Sequence, residues 1–409
     1  MSIGKCWKIA IILLLAAVTI ASAPFAFRWW RRRSRDAQAA QCRAARDGQK
    51  WDELARLAGE WAARDSQIAA PRMFLAEAAE ARRDWPAVAE HLARIPETDP
   101  KAVPALIELA KLEFGPLNRP LAGEEVCQKI LRLQPLATFA HQRLIQYYAI
   151  SLQREKLVRQ IRFAIDRERE PPEAYVYLLL LDSLRMGNGF ETNQHWLEAN
   201  PDQEVLAVAS AMQIPELQDD LAGVPAEQRE AVRAASAEKS KLVEGLLQKY
   251  PGNLELLSYQ LERFSMLGDA ERVADLLSRV PEAGERDSRF WRFKGWLHET
   301  YDELPEAEIA FTKALEIHPL DWNAWNRLAV VNRRLKNVVE VARSTNLVEQ
   351  AMSLRKRIRA LPAAEEVTAE ILADLSKYAR ACGALWVADP LDRRLRQQQI
   401  EFSEPLIAH

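Results

Sequence analysis

The chain has 409 residues, of which 48% are apolar and 28% charged, a mixture typical of a folded protein rather than a disordered one. Only 14 residues are glycine, about half of the usual ~7%, which argues against nucleotide-binding folds and β-sandwiches that depend on glycine-rich turns. The four cysteines stand far apart, at positions 6, 42, 127 and 382, which excludes a disulfide scaffold and a C-x₂-C zinc site.

The net charge of −2 hides a basic N-terminus attached to an acidic body. Residues 1–35 hold seven of the 56 basic residues and no acidic one, which leaves 49 basic against 58 acidic residues, a net of −9, over 36–409. An acidic body of this size repels polyphosphate. The sequence therefore predicts no nucleic-acid partner.

The first element in chain order is a run of nineteen residues without a charge, from Ile9 to Phe27. As a helix it is ~28 Å long, close to the ~30 Å of the hydrocarbon core of a bilayer. Tryptophans and arginines suited to the membrane interface flank the run: Trp7, Trp29, Trp30, Arg31, Arg32 and Arg33. The sequence therefore predicts a short basic N-terminus (1–8), a single transmembrane helix (9–27) and a basic collar (28–36).

A cleaved signal peptide is the alternative for this segment. Lys5 and Lys8 would form its basic region, and Ala21-Ser22-Ala23 its cleavage site. Pro24 directly after that site opposes cleavage, so an uncleaved anchor in the cell membrane is favoured. Five arginines follow the run and two lysines precede it, which favours a cytoplasmic body, with the exported side as the alternative.

The body shows helical periodicity, and its landmarks recur every 34 residues. Trp51 and Trp85 lie 34 apart, as do Trp291 and Trp325. No segment alternates apolar and polar residues as a strand does. The sequence therefore predicts an all-α chain built from a helical repeat.

One segment shows the repeat unit in full. Its landmark residues are Trp291, Gly295, Ala307, Phe311, Ala314 and Pro319. This spacing resembles the tetratricopeptide repeat, W-x₂-L-G-x₂-Y, then A-x₃-F, then P, although Lys294 and His298 depart from it. The resemblance implies that these six residues pack the helix pair and that residues 37–355 form a right-handed solenoid of about eight to nine degenerate pairs.

The packing position of Ala307 can be followed through the chain. It maps to Leu54, Val88, Gly123, Leu157, Gly189, Lys239, Val273, Ala307 and Val341. The step of 50 between Gly189 and Lys239 predicts an insertion at about 203–235. After the solenoid, residues 356–388 are predicted as C-terminal capping helices and 389–409 as a polar tail.

The motifs of catalysis are missing from the sequence. It contains no phosphate-binding glycine loop, no G-x-S-x-G and no H-E-x-x-H. We therefore expect no enzyme, no cofactor and no metal. The resemblance implies instead that first helices line a concave surface that binds a peptide or helix of another protein. On that register the partner-binding residues are Arg289, Arg292, Trp296, Asn323, Asn326 and Arg333.

Together these features predict a membrane-anchored repeat scaffold that mediates protein–protein interaction. The alternative is an exported repeat protein, released or facing outward, that serves as an assembly or secretion accessory of the envelope.

Overall fold

A computed structural model describes residues 29–214 and 226–403, and in these residues all regular structure is helical, with no strand. This confirms the all-α prediction. The chain divides into two compact units, unit 1 ending at Gln134 and unit 2 beginning at Pro135. The predicted N-terminus 1–8, the transmembrane helix 9–27, Trp7 and the last six residues of the tail lie outside the described residues.

The described part of unit 1 contains six helices. They are α1 (29–47), α2 (Trp51–Arg64), α3 (Ala69–Glu80), α4 (Trp85–Ala93), α5 (Ala102–Phe114) and α6 (Pro120–Leu133). Successive helices pack against one another, and the core at the start of the unit joins Cys42, Leu54, Trp61 and Phe74. The predicted collar is therefore helical from residue 29 and continuous with the first packed helix.

Unit 2 contains the remaining helices. They are α7 (Thr138–Ile150), α8 (Arg154–Ile165), α9 (Glu173–Leu179), α10 (Gly189–Ala199), α11 (Glu204–Gln213), α12 (Ala226–Lys249), α13 (Leu254–Met266), α14 (Ala270–Ser278), α15 (Ser288–Thr300), α16 (Leu304–Ile317), α17 (Trp322–Arg334), α18 (Val338–Arg359), α19 (Ala369–Ala381) and α20 (Leu385–Ser403). Short 3₁₀ segments at Leu181–Ser183, Glu282–Arg286 and Ala364–Glu366 join some of them.

One residue in the left-handed region marks the turn between the two helices of a pair. Its φ lies between 49° and 73°, a conformation that strains every residue except glycine. These turn residues are Gln49, Arg83, Asn118, Leu152, Gly268, Asp302 and Lys336. Nearly all neighbouring members lie 34 or 35 residues apart, and Leu152 to Gly268 is the exception. The backbone itself therefore has the period that the sequence predicts.

Five residues after each turn residue, the second helix presents the predicted packing position. Seven of the nine mapped residues follow this rule, namely Leu54, Val88, Gly123, Leu157, Val273, Ala307 and Val341. All of them are buried except the half-buried Val341. The rule holds because the left-handed turn reverses the chain and brings this position against the first helix.

The repeat is interrupted between Leu152 and Gly268. Gly189 is the first residue of α10, and Lys239 lies inside the 24-residue helix α12, so neither follows a left-handed turn. Both are nevertheless buried, and Lys239 Nζ donates to the carbonyl oxygens of Met212 and Ile214 at 3.3 Å each. The predicted insertion falls in this stretch, and its residues 215–225 lie outside the described part.

Of the six predicted packing residues of the repeat at 291–319, four are buried and two are only half-buried. Gly295, Ala307, Phe311 and Ala314 are buried between the helices, as expected. Trp291 is only half-buried, and its Nε1 donates to the carbonyl oxygen of Glu285 at 3.0 Å. Pro319 is also half-buried, in the loop after α16.

The C-terminal helices do more than cap the last repeat. Tyr378 of α19 is buried and donates to the carbonyl oxygen of Leu320, and Arg394 of α20 donates to the carbonyl oxygen of Glu170 at 2.8 Å. Arg162 of α8 lies over the ring of Trp386 at 4.1 Å. The predicted boundary at 389 is wrong, because α20 continues through it to Ser403 and packs against the start of the unit.

The close approach of paired helices predicts a sharp difference between two glycines. A Cβ at Gly295 would lie 2.7 Å from the ring of Phe311, whereas a Cβ at Gly245, on an exposed part of α12, meets nothing within 4 Å. We expect Gly295→Ala to destabilise the protein by about 1–3 kcal/mol through overpacking, and Gly245→Ala to stabilise it by about 1 kcal/mol.

Urea unfolding followed by circular dichroism measures both variants. A Gly295→Ala midpoint at or above that of the wild type would show that the helices have room to separate.

Candidate functional site

Arg289, expected to face a partner, is buried in a cluster of ion pairs. Its guanidinium donates to both oxygens of Glu255 at 2.6 and 3.1 Å and to Asp287 at 2.6 Å. Arg154 donates to the same Glu255 carboxylate at 2.9 Å. Burial alone would raise the pKa of Glu255, but the two guanidiniums hold it below its usual value. Arg289 is therefore buried and bound within its own unit, where the register predicts an accessible position.

Arg292, one turn further along α15, is buried in the same way. Its Nη1 donates to both oxygens of the fully buried Asp321 at 3.1 and 3.2 Å, and its Nη2 lies 3.5 Å from Glu262. Asp321 also caps α17 by accepting from the backbone N–H of Ala324. The carboxylates of its own unit thus already bind this guanidinium, which is buried where the register predicts an accessible position.

A third buried pair joins the C-terminal helices to the start of the unit. Arg355 of α18 donates to Asp182 at 2.8 Å and to the carbonyl oxygen of Leu179 at 3.2 Å. His318 lies close to Asp182 and Asp321, and burial lowers its pKa, so the ring is neutral at neutral pH. These contacts cover the end of α9, all of whose residues are buried.

Burial on every side explains the unusual sequence of α9, EAYVYLL, which lacks a polar face. Tyr175 donates to Glu170 at 3.0 Å, and Gln142 donates to Glu173 at 3.2 Å. Burial raises the pKa of both glutamates. The inner part of unit 2 is therefore closed by its own helices.

The two tryptophans of α15 have the opposite burial from the one that the sequence predicted. Trp296, expected on the partner-binding face, packs in a hydrophobic cluster with Leu257, Leu261 and Phe293. Trp291, expected in the core, is the more exposed of the two. The first-helix register is correct, but the face it defines is internal at this repeat.

The remaining predicted contacts lie on α17 and stay accessible. Asn323 is half-buried, whereas Asn326 and Arg333 are exposed. The structure therefore separates the six candidates into three buried residues on α15 and three accessible residues on α17. Their role in binding a partner stays a prediction.

The same register identifies an accessible face in unit 1. Arg289, Arg292 and Trp296 of α15 lie 13, 10 and 6 residues before the turn residue Asp302. The next position on the same side of the helix lies 3 residues before Asp302. The equivalent residues before Gln49 and Arg83 are Asp36, Ala39, Arg43, Arg46, Ala70, Met73, Glu77 and Glu80. We call this set the first-helix face of unit 1, and each of its eight residues is exposed or half-buried.

Charges of both signs lie together on this face. Arg46 of α1 lies 3.9 Å from Glu77 of α3, which links the first helices of two neighbouring repeats. Burial raises the pKa of Glu77, and Arg46 opposes that shift. Arg43 and Glu80 of the set are also exposed. The arrangement suits polar and charged contacts with a segment lying across the helices.

Catalytic and metal-binding arrangements were sought in the same residues. Within 29–214 and 226–403, no group of three or more His, Cys, Asp or Glu side chains is placed to hold a metal ion. Cys42, Cys127 and Cys382 are buried, and burial raises the pKa of Cys382 to about 12, which opposes a thiolate nucleophile.

Sequence reasoning missed the carboxylates that bind the buried arginines. Glu255 lies 34 residues before Arg289, and Asp321 lies 34 after Asp287, so each pair shares one register position in adjacent repeats. This signal was readable from the period. The period could not predict the pairing of Asp182 with Arg355, because these residues meet only through the return of the C-terminal helices.

Comparisons with known proteins give little beyond this geometry. No protein-family model and no curated protein matches the chain. A tetratricopeptide repeat protein from Parabacteroides merdae is 14% identical with a TM-score of 0.29, over 63% of this chain and 95% of that one. The Cut9-Hcn1 hetero-tetramer of the APC/C is 10% identical with a TM-score of 0.33, over 88% and 78%.

Human IFIT1, solved as a dimer with m7Gppp-AAAA, is 12% identical with a TM-score of 0.31, over 90% of this chain and 76% of that one. Scores of this size carry no argument about fold or function. The repeat assignment rests on the chain's own left-handed turns and packing positions.

The buried ion pairs predict a large cost for one isosteric change. Glu255→Gln leaves Arg154 and Arg289 without the charge they share, and removing one partner of a buried pair costs about 3–5 kcal/mol. Glu60→Gln breaks an exposed pair with Arg56 and should cost less than about 1 kcal/mol. Urea midpoints of the two variants make the comparison. Equal midpoints would contradict the burial of this cluster.

Proposed function

We propose that the chain is a non-catalytic helical-repeat scaffold, anchored in a membrane by residues 9–27, that binds other proteins. The observation that supports binding is the first-helix face of unit 1, whose eight residues stay accessible while three of the four equivalent residues of α15 are buried. A series of accessible side chains repeated along stacked helices suits an extended peptide or a helix.

The proposed partner segment lies across α1 and α3. It carries charges of both signs, because the face offers Arg43 and Arg46 beside Asp36, Glu77 and Glu80. Asn323, Asn326 and Arg333 on α17 are the candidates for a contact of unit 2. Arg289, Arg292 and Trp296 take no part, since their groups are used within the unit.

The proposed anchor rests on sequence and on the start of α1. The apolar run Ile9–Phe27 is long enough to span a bilayer. Directly after it, Trp29 and Trp30 are exposed at the beginning of α1, and Arg33 lies 5.3 Å from the ring of Trp29. Exposed aromatic rings beside arginines suit the membrane interface. Among the helices of residues 29–214 and 226–403, none has both the length and the apolar character of a membrane span.

An exported protein is the second candidate, favoured by the small residues Ala21-Ser22-Ala23 after the apolar run. In that case the same surfaces would act in the envelope, as an assembly or secretion accessory. The arginine collar after residue 27 favours the cytoplasmic orientation instead.

Partner capture should depend on the first-helix face. We expect Arg43→Glu combined with Glu80→Lys to lower crosslinking of a partner in native membranes by about tenfold or more, equivalent to ~1.4 kcal/mol. The matched control is Glu53→Lys with Arg56→Glu, the same exchange on exposed positions of α2. Equal crosslinking by the two double variants would remove this face from the proposal.

Membrane attachment should depend on the apolar run. We expect the wild-type chain to resist alkaline carbonate extraction and Leu13→Arg with Leu14→Arg to be extracted, because each arginine costs ~2.5–3.5 kcal/mol at the centre of a bilayer. Ile309→Arg, at an exposed position of α16, is the control. The N-terminus of the membrane product separates the two functions: a chain beginning at Pro24 would contradict the anchor and support export.

A further inference from the structure

Exposed apolar side chains lie on three consecutive turns of unit 2. Leu267, Tyr301 and Leu335 each stand directly before the left-handed turn residue, at steps of 34. With Met266, Val338 and Val339 they form a set that we call the apolar ridge. Tyr301 is 53% exposed, and Val338 and Val339 are 78% and 76% exposed.

The three turns lie side by side on one edge of the unit. Helices α13 and α15 contact each other, as do α15 and α17, so their C-terminal ends are neighbours. Arg334, beside the third of these turns, forms an ion pair with Asp302 of the second turn, and this pair links the two turns. The ridge is thus a continuous feature of the edge, not a scatter of single apolar residues.

These turns hold three acidic and three basic residues, and two of the basic ones form no ion pair with a described residue. In segments 266–269, 301–303 and 333–339, Asp269 pairs with Arg272 and Asp302 with Arg334, and Glu303 lies 2.6 Å from Nδ1 of His298. Arg333 and Lys336 are exposed and form no ion pair with any described residue. The turn Arg-Arg-Leu-Lys-Asn-Val-Val therefore combines two uncompensated cations with exposed apolar side chains.

We propose that the apolar ridge docks on the surface of an anionic phospholipid bilayer. Apolar side chains on protruding turns enter the boundary between headgroups and acyl chains, while Arg333 and Lys336 bind lipid phosphates. The inference rests on the proposed anchor, which keeps the chain beside a bilayer and so raises the local concentration of lipid. The combination of unpaired cations and protruding aliphatic side chains favours lipid over an acidic or a purely apolar protein surface.

The test uses the full chain in vesicles and a reporter on the ridge. Cys6→Ser removes the native cysteine outside the described part, and Cys42, Cys127 and Cys382 are buried. A polarity-sensitive NBD dye is then attached at Val339→Cys, and the control dye at Ile309→Cys, which is 67% exposed on α16. Vesicles contain phosphatidylcholine with or without phosphatidylserine, and doxyl-labelled lipid serves as quencher.

With vesicles, we expect the dye at 339 to emit at shorter wavelength and to be quenched by doxyl lipid. Both effects should be larger when the vesicles contain phosphatidylserine. The dye at 309 should show neither effect. Arg333→Glu with Lys336→Glu should abolish the phosphatidylserine effect. These two residues are exposed on a turn, so the variant keeps its fold, and circular dichroism checks this.

Flotation of the vesicles separates the two proposals. If the chain floats but the dye at 339 emits at the same wavelength as the dye at 309, the proposed anchor is supported and the ridge proposal is overturned. A chain that does not float overturns both. A shift at 339 that grows with protein concentration without vesicles would assign the ridge to a second copy and contradict lipid docking.

Discussion

The structure depends on a close approach of two helices immediately after a left-handed turn. The turn residue holds a strained φ, which costs of the order of 1–2 kcal/mol when a side chain is present, and five residues later a small or apolar side chain is buried against the first helix. Repetition of this arrangement stacks the pairs and fixes their register. Once the register is fixed, equivalent positions of neighbouring repeats face each other, and Glu255 therefore meets Arg289.

The facing of equivalent positions has different results in the two units. In unit 2 the inner positions carry complementary charges. Arg355 of α18 binds the end of α9 and Arg394 of α20 binds Glu170 just before α9, so these polar groups are bound within the unit. Asp182 and Arg355 are both buried, and their pairing holds this closure together. On α1 and α3 of unit 1 the equivalent positions are accessible, with Arg43 and Glu80 open to solvent. The proposed binding surface therefore lies on a different set of repeats from the one at 291–319.

The sequence predicted the helical class, the period and seven of the nine packing positions, because these follow from local spacing. Burial of Arg289, Arg292 and Trp296 was missed, although the carboxylates that bind the two arginines recur with the period. The contribution of Arg154 could not follow from spacing, because this residue reaches Glu255 from 101 residues earlier in the chain. Trp291 is more exposed than its spacing predicts. Its indole donates to the carbonyl oxygen six residues before it, as that of the buried Trp325 does, so this hydrogen bond does not set the difference.

The central claim is that unit 2 is closed around α9. Hydrogen exchange of the backbone amides of Glu173–Leu179 under native conditions tests it most directly, because amides enclosed on all sides exchange only when the unit opens. The account predicts that these amides exchange among the slowest of the chain, and far more slowly than those of α14, whose outer side faces solvent. Exchange of α9 as fast as that of α14 would contradict the closure and would return the inner residues of unit 2 to consideration as a binding surface.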